Sequence, residues 1–354
     1  MDTMIDIFAP NASGGAFSST TLTGLVNENF AYIPGLLSSM GLAPGQGMLT
    51  TTATFDSTDA GLRMISTTPR GAPPSQKAHV KGALRQIGAV HLSREVEIYA
   101  DELLAVRARG TMNPQTLQNL IMERVDGPVG LKAELALTME HMLLGLIDGT
   151  VVDADNLTIL YDLFGMWGKA RPAVINIPFS TTTDKTAIIE LAVTGITRQS
   201  VKALNGLPLI NSTPIFLCGD QFFDALTGSQ EVIKARQTGA FGSANAGDLI
   251  SQNLAYKSMM WAGAKWINYR GTDDGSTVAI PTKEARFFMQ GVPGLFSMFF
   301  APADTFETVS TLGLPYYLLN NPERQTSKRA VFELQSNPLP MCLRPASLIR
   351  LTYS

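Results

Sequence analysis

Charge is scarce in this 354-residue chain, with Asp, Glu, Lys and Arg together making up 16%, where a globular domain ordinarily carries about a quarter. Cysteine is scarcer still: Cys218 and Cys342 are the only two. So distant a pair is no disulfide framework, and it fits a reducing compartment. The three histidines, His79, His91 and His141, form no H-E-x-x-H and have no second histidine within helical reach. Metal-ligand spacing is therefore absent. His141 follows Glu140 among Met139, Met142 and Leu143, which reads as helix packing. Long apolar runs are missing too. Leu135–Ile147 is interrupted by Glu140 and His141, and Gly291–Ala303 by Pro293. Neither supplies the roughly 20 apolar residues a membrane-spanning helix needs, so no membrane is expected. The opening MDTMIDIFAP has two acids and no base, so no secretory signal is expected.

The motifs of common chemistries are absent as well. No G-x-G-x-x-G follows a strand, and no G-x-S-x-G elbow occurs. Gly168-Lys169 fails as a phosphate loop because Leu163 and Ala170 stand where glycine and a hydroxyl residue belong. Asp273-Asp274-Gly275 lacks the alternating ligands and closing Glu of a calcium loop and reads as a hairpin turn. No catalytic residue, cofactor or metal is expected, which argues against an enzyme.

What is present is apolar material: 45% of residues are hydrophobic, with a mean hydropathy of +0.11. Such a chain buries a core, as two or three units or one elaborate domain. Low charge then implies a large interior, or a surface spent on other subunits, since interface centres are depleted in charge. A net charge of −3 and a pI near 5.7 provide no basic footprint for sequence-specific nucleic-acid binding. The charges are also unevenly placed. Residues 1–62 hold no Lys or Arg, only Asp2, Asp6, Glu28, Asp56 and Asp59. Arg63, Arg70, Lys77, Lys81, Arg85, Arg94, Arg107 and Arg109 follow. The acidic arm and basic stretch either pair, within or between chains, or form a solvated polar face.

Residues 1–46 read as an extended arm, rich in Gly, Ser, Thr, Asn and Pro. Met48–Phe55 and Leu62–Thr68 read as strands of a long hairpin around the turn cluster Ser57–Gly61, too poor in large apolar side chains to stand alone. Ser93 is expected to cap a helix through Val96, Tyr99, Ala100 and Leu103, ended by Gly110. Asn113-Pro114 starts another, kinked near Gly127-Pro128 and resuming through Leu131, Leu135, Met139, Met142 and Leu146 to Gly149. Residues 150–163 read as a hairpin turning at Asp153–Asn156. Further helices are expected from Asp184 and from an Asp220 cap, and strands at Pro208–Ile210, Thr213–Leu217, Trp261–Tyr269 and Val278–Ile280, with mixed strand and loop over Glu284–Pro302. The last residues, AVFELQSNPLPMCLRPASLIRLTYS, are too apolar for a loose tail. They read as closing strands, with Pro338, Pro340 and Pro345 at an edge or a bend.

In this order the chain resembles the major capsid protein E family of lambda-like tailed bacteriophages. The likeness rests on Tyr32-Ile33-Pro34-Gly35-Leu36 before the extended loop, Arg70-Gly71 at its tip and the helix Leu131–Asp148 followed by Gly149 and a hairpin. It rests also on the strand-then-helix step from Phe216 to Leu226 and on the closing stretch Phe332–Pro340. The resemblance implies an α+β tailed-phage (Hong Kong phage-type) capsid fold. Its parts would be an N-terminal arm at 1–46, an extended β-hairpin loop at 47–82, a peripheral domain with a long spine helix at 83–183 and 320–354, and an axial domain at 184–319. It implies a major capsid protein that assembles with itself, as hexamers and pentamers, into an icosahedral head around double-stranded DNA held without sequence specificity. A scaffold protein, a portal and, in many members, a decoration protein are the implied partners. The virion is the implied location, after assembly in the host cytoplasm. No long helical extension precedes residue 46, so a fused scaffold domain is not expected. Arg63, Arg70, Lys77, Glu95 and Glu97 are the candidate subunit-interface residues. The alternatives are a non-viral nanocompartment shell protein on the same fold, and an enzyme with an unusual site.

Overall fold

A computed structural model describes residues 34–57, 83–101, 124–179, 188–237 and 256–354, apart from 128, 206, 208, 210, 273, 321–325 and 327. Its helices of four residues or more are α1 (Leu36–Ser39), α2 (Leu131–Asp148), α3 (Leu163–Trp167), α4 (Ile188–Leu204), α5 (Asp220–Thr227) and α6 (Gln230–Gln237). The strands are β1 (Gly45–Gly47), β2 (Thr52–Ser57), β3 (Ala83–Gly88), β4 (Leu92–Tyr99), β5 (Thr150–Val152), β6 (Ile159–Asp162), β7 (Ile175–Ile177) and β8 (Thr213–Cys218). They continue with β9 (Ser258–Trp261), β10 (Ala264–Asn268), β11 (Glu284–Gln290), β12 (Phe296–Phe300), β13 (Tyr317–Asn320), β14 (Arg329–Ser336), β15 (Pro338–Cys342) and β16 (Ile349–Tyr353). The α+β class is as expected.

The largest sheet has six strands in the order β7-β16-β11-β8-β10-β9. Ile215, Phe216, Leu217 and Cys218 of β8 are all fully buried, so both faces of this central strand are covered. Phe216 stacks on Trp266 with ring centroids 3.9 Å apart and meets Phe287 at 4.8 Å. Helix α4 covers the core with the stripe Ile189, Val193, Ile196, Ser200 and Leu204, which is a 3.6-residue repeat. Two three-stranded sheets, β1-β12-β15 and β13-β14-β4, complete the frame with the hairpins β2-β3 and β5-β6.

Helix α2 is the spine. Leu131, Leu135, Met139, Met142 and Leu146 make its main stripe, but Leu143, Leu144 and Ile147 are buried too. Its second half is thus covered on most sides, as in a helix inside a fold rather than on it, and α2 packs against β4, β14 and β15 as well as β11 of the central sheet. Gly149 ends it at φ 82°. That left-handed turn suits glycine, and a Cβ there would collide with the Phe164 ring. The β5-β6 hairpin follows, its Asp153–Thr158 turn held by the Asp155 carboxylate, which accepts from Leu157 N, Thr158 N and Thr158 Oγ1.

Several local expectations give way. Residues 93–99 belong to strand β4, paired over eight residues with β14; Ala100 and Asp101 are helical, and the rest of the expected helix, Leu103 and Gly110 included, lies outside the described residues. Val96 fits a helical stripe with Tyr99 and Ala100 and a two-residue period with Ile98, and the neighbouring strand selects between them. Trp261–Tyr269 is broken by Ala262 and Gly263 at φ 53° and 73°, which turn β9 back onto β10. Val278–Ile280 is not a strand; its first residue closes a loop through Thr272 N to Val278 O at 3.0 Å. Asp220 lies inside α5, and Gly219 is the cap residue; Gly228-Ser229 then separates α5 from α6. Gly228 takes no left-handed φ, but the polar pair offers the chain a corner. The hairpin strand β2 pairs with β3. Leu62–Thr68, the Asn113 helix and Pro128 of the kink lie outside the described residues, as do Pro208 and Ile210. Leu209 sits in a turn, accepting from Ser212 N at 3.3 Å.

The closing residues form three strands in three different sheets. β14 lies between β13 and β4, β15 pairs with β12, and β16 lies between β7 and β11. β15 is a sheet edge, which accommodates Pro338 and Pro340, and Pro345 opens a single 3-10 turn. Every residue of β15 is buried. Truncation after Arg329 therefore removes strands from all three sheets, and we expect it to abolish cooperative unfolding. Circular dichroism during a thermal scan measures this, and a cooperative transition in the truncated chain would refute it.

Candidate assembly surface

No group of three or more His, Cys, Asp or Glu could hold a metal among the described residues. Both thiols are buried. Burial pushes Cys342 up to about 12 and Cys218 well above its ordinary value, so neither is a poised nucleophile. His91 Nδ1 lies 2.9 Å from both Asn337 Oδ1 and Gln335 Nε2, which ties β14 and the following bend to the chain before β4. His141 Nε2 meets Asn156 Oδ1 at 2.9 Å, holding the β5-β6 turn against α2. The polar side chains of this interior position chain segments.

Two acids on α2 do most of that positioning. Glu140 is fully buried. Its carboxylate accepts from Leu37 N at 2.9 Å, Ser38 N at 3.1 Å, Ser38 Oγ at 2.8 Å and Tyr269 Oη at 3.2 Å. It thereby caps α1 from a distance of about a hundred residues in sequence, satisfying backbone donors that a helix start leaves open. Asp148 is the last residue of the same helix. Arg286 Nε reaches its Oδ1 at 2.7 Å, Arg350 Nε donates to it at 2.6 Å, and Arg350 Nη2 bonds Oδ2. Arg171 Nη1 stands 3.6 Å from Oδ2, with its guanidinium over the Phe164 ring. Arg286 also pairs with Glu284 at 2.7 Å. Burial alone would raise the Asp148 carboxyl; the Arg350 hydrogen bond and the charges of Arg286, Arg350 and Arg171 outweigh it and hold it below its ordinary value.

Asp148, Arg286 and Arg350 border a cleft of about 430 Å³ between α2, the β5-β6 hairpin and the 276–281 loop. Sequence reading passed over all of them, although a lone Glu140 in an otherwise apolar helix is a signal: a buried charge needs partners.

The hairpin root is fastened by Phe55, whose ring meets Trp167 at 6.1 Å and Phe299 at 5.7 Å, both edge-on. Trp167 Nε1 donates to Cys342 O at 2.8 Å, and Tyr161 Oη to Gly88 O at 2.6 Å. Of the candidate interface residues, Arg63, Arg70 and Lys77 lie outside the described residues. Glu95 and Glu97 are exposed on β4. Glu97 pairs with Arg329 at 3.1 Å and accepts from Tyr99 Oη at 2.8 Å, while Glu95 stands opposite Glu333 in the ladder. The structure thus brings the two acids together on one strand. Elsewhere the surface is unusually apolar: Phe306 is 98% exposed, and Val309, Leu312 and Leu314 in the same loop are also exposed.

A spine helix inside a mixed sheet frame, with polar groups that hold chain segments in place, is a structural scaffold, and the comparisons put it in the tailed-phage capsid class. The solved structures agree on the fold. The cyanophage Pam1 capsid superposes with a TM-score of 0.51 at 9% identity, covering 89% of each chain. The capsid of cyanophage P-SCSP1u gives 0.50 at 11% identity, covering 88% of this chain and 86% of that one. The putative capsid protein of an E. coli CFT073 prophage gives 0.50 at 12%, covering 95% and 99%. In sequence, the major capsid protein of Pseudomonas phage KPP10 is 24% identical over 321 residues, 85% of this chain and 87% of that protein. The profile of phage major capsid protein E matches residues 18–353, and the chain belongs to that family.

The Asp148 knot makes a quantitative prediction. A carboxyl with a lowered folded-state value stabilises the fold above the unfolded value of about 3.9 and loses that contribution as pH falls through the folded value. Asp148→Asn removes the carboxylate that Arg286, Arg350 and Arg171 share, although Arg286 keeps Glu284 and the other two are partly exposed, and it is expected to cost roughly 2 kcal/mol at neutral pH. Urea denaturation of both proteins between neutral pH and pH 3 checks this. The difference should shrink toward the acid end; a gap that is constant or widens there would contradict it.

Proposed function

We propose that this chain is the repeating subunit of an icosahedral phage head, arranged in rings of six and five around double-stranded DNA. The carrying observation is the family match over residues 18–353, nearly the whole chain. Scarce charge and an exposed apolar loop support it, because a subunit with neighbours on every edge buries surface that a monomer must keep wet. Rings of such subunits use heterologous contacts that close by rotation. A scaffold protein, a portal and a decoration protein are its expected partners, and assembly takes place in the host cytoplasm before the subunit resides in the virion. Mild acidity suits a wall that holds DNA without gripping it. No catalysis is part of this role.

The arm at 1–46, the loop at 47–82, the peripheral parts at 83–183 and 320–354 and the axial part at 184–319 are the proposed division of labour. Arg63, Arg70 and Lys77 would make the loop's contacts, with Glu95 and Glu97 as acidic counterparts on a neighbour. The loop's root is a two-stranded ribbon whose last pair is Ser57 opposite Ala83, and a ribbon of that kind gains stability by lying on something else.

Because Ser57 and Ala83 are paired, residues 58–82 can be replaced by an Asn-Gly turn without disturbing Phe55. We expect this variant to keep the wild-type circular dichroism spectrum and to form no shells with co-expressed scaffold under electron microscopy. Normal shells would defeat the proposal. Reversing Arg63 and Arg70 to Glu should likewise suppress assembly while moving the monomer's thermal midpoint by no more than an ordinary surface change, about 0.5 kcal/mol. Equal loss of folding and assembly would count against the interface role.

A further inference from the structure

The loop between β12 and β13 is built to hold its apolar side chains outward. Phe306 opens a single 3-10 turn and, with Val309, Leu312 and Leu314, is exposed. The loop's polar groups are spent on itself. Thr308 Oγ1 donates to Ala303 O at 2.7 Å, Thr311 Oγ1 to Thr308 O at 2.7 Å, and Leu314 N to Tyr317 Oη at 2.7 Å. Ser310 is held at φ 64°, a left-handed conformation that a non-glycine residue keeps where its surroundings enforce it. Gly313 N donates to Met48 O at 2.8 Å, and a Cβ on Gly313 would collide with the Phe300 carbonyl. The loop is thus clamped between β12 and the residue after β1. Leu49, the next residue along, is exposed as well. A loop fixed in this way loses little freedom when a partner covers it, so binding through its apolar surface has a small entropic cost.

Exposed side chain at these five apolar positions amounts to roughly 600 Å², if a large aromatic offers about 200 Å². A single patch on a monomer seldom exceeds that. One partner's share of a standard interface is about 800 Å², somewhat over half of it apolar. The loop and Leu49 supply that apolar share by themselves. The occupant is a second copy of this chain, because the chain belongs to a family of major capsid proteins, whose shells repeat one subunit. Charge indicates how the copies meet. Asp304 and Glu307 are exposed and flank Phe306 in sequence, and no Lys or Arg occurs between Arg286 and Arg324. Lys132, whose charge reaches Tyr316, is already paired with Asp126 at 3.1 Å. Two copies meeting loop to loop would bring the acids of both together, and like charges across an interface are unfavourable. The loop therefore fits a different face of its neighbour, in a heterologous contact that can close into a ring.

We propose that the Phe306 loop is a preformed knob by which one subunit holds a neighbouring copy, with Phe306 as the anchor and a surface other than this loop as its receptor. The proposal rests on the shell-subunit reading and adds to it the residues of one contact, separate from that of the 58–82 loop.

Phe306 is almost wholly in solvent, so Phe306→Ser should leave the subunit's circular dichroism spectrum and thermal midpoint unchanged. It should raise the subunit concentration needed to form shells with purified scaffold protein, measured by sedimentation, by roughly tenfold or more, the scale of a lost aromatic anchor. Phe306→Leu should recover most of that loss. Thr308→Val keeps the apolar surface but unties the turn, and should raise the same concentration about threefold. Phe306→p-benzoylphenylalanine locates the receptor. Irradiated shells assembled from mixed isotope-labelled and unlabelled subunits should give adducts between copies, with the second peptide outside residues 303–320. An adduct within one chain, one joining the same loop of two copies, one to the scaffold protein, no adduct at all, or normal assembly by Phe306→Ser would each overturn the inference while leaving the shell reading in place. A wild-type chain that forms no shells would overturn the proposed function, and this contact with it.

Discussion

One aspartate sits where electrostatics would least favour it. Asp148 closes α2, and a helix C-terminus already carries partial negative charge. Its burial adds a desolvation cost. The site holds because Arg286 comes from β11, Arg350 from β16 and Arg171 from the segment before β7. Each arginine is welcome at that helix end, and each belongs to a different part of the chain. The knot therefore works as a registration device. It sets where the spine ends relative to the central sheet, and it can be satisfied only when three distant segments have arrived. Replacing such a cluster by apolar residues can be neutral in stability, but removing one member strands the others. Here the cluster fixes position, which bulk hydrophobic packing leaves loose.

Glu140 does the corresponding work two turns earlier. Its four donors fix α1 to the spine, so the place where the arm joins the fold is determined by a hydrogen-bonded carboxylate rather than by apolar packing alone. Between the two acids the helix is almost wholly apolar. The spine thus combines a non-directional middle with two directional ends. The three closing strands apply the same logic to the sheets. β14, β15 and β16 are consecutive in sequence but belong to three sheets, so the frame is completed only by the last residues of the domain. Contacts this distant in sequence bring a high loop-closure cost and slow folding.

How much of this could be read beforehand depended on whether a feature is local. The spine helix, Gly149 and the β5-β6 hairpin were legible because periodicity, a left-handed glycine and turn residues lie within a few positions of one another. The apolar end was legible as buried because no solvated tail carries Leu339, Met341 and Leu351. Strand β4 was not, since Val96 fits a helical stripe with Tyr99 and a two-residue period with Ile98, and β14, more than 200 residues later, decides between them. The break at Ala262-Gly263 was missed because an alanine at positive φ has no local signature. The Asp148 knot was invisible for the same reason: its members are 23, 138 and 202 positions apart.

The distribution of polarity has a final consequence. Most charges of this subunit face outward, but a few are turned inward, Glu140 and the Asp148–Arg286 pair, while Phe306 and its loop neighbours are left exposed. Both features depart from an ordinary monomer, because exposed apolar patches invite association and buried charges must be compensated. Both fit a subunit of a shell. Its interior must hold one geometry against forces from several neighbours, which directional ionic contacts do better than oily ones. Its exterior must associate, and exposed apolar surface favours association with little demand for exact orientation. Rigidity within and tolerance between are what a shell built from one repeated chain requires.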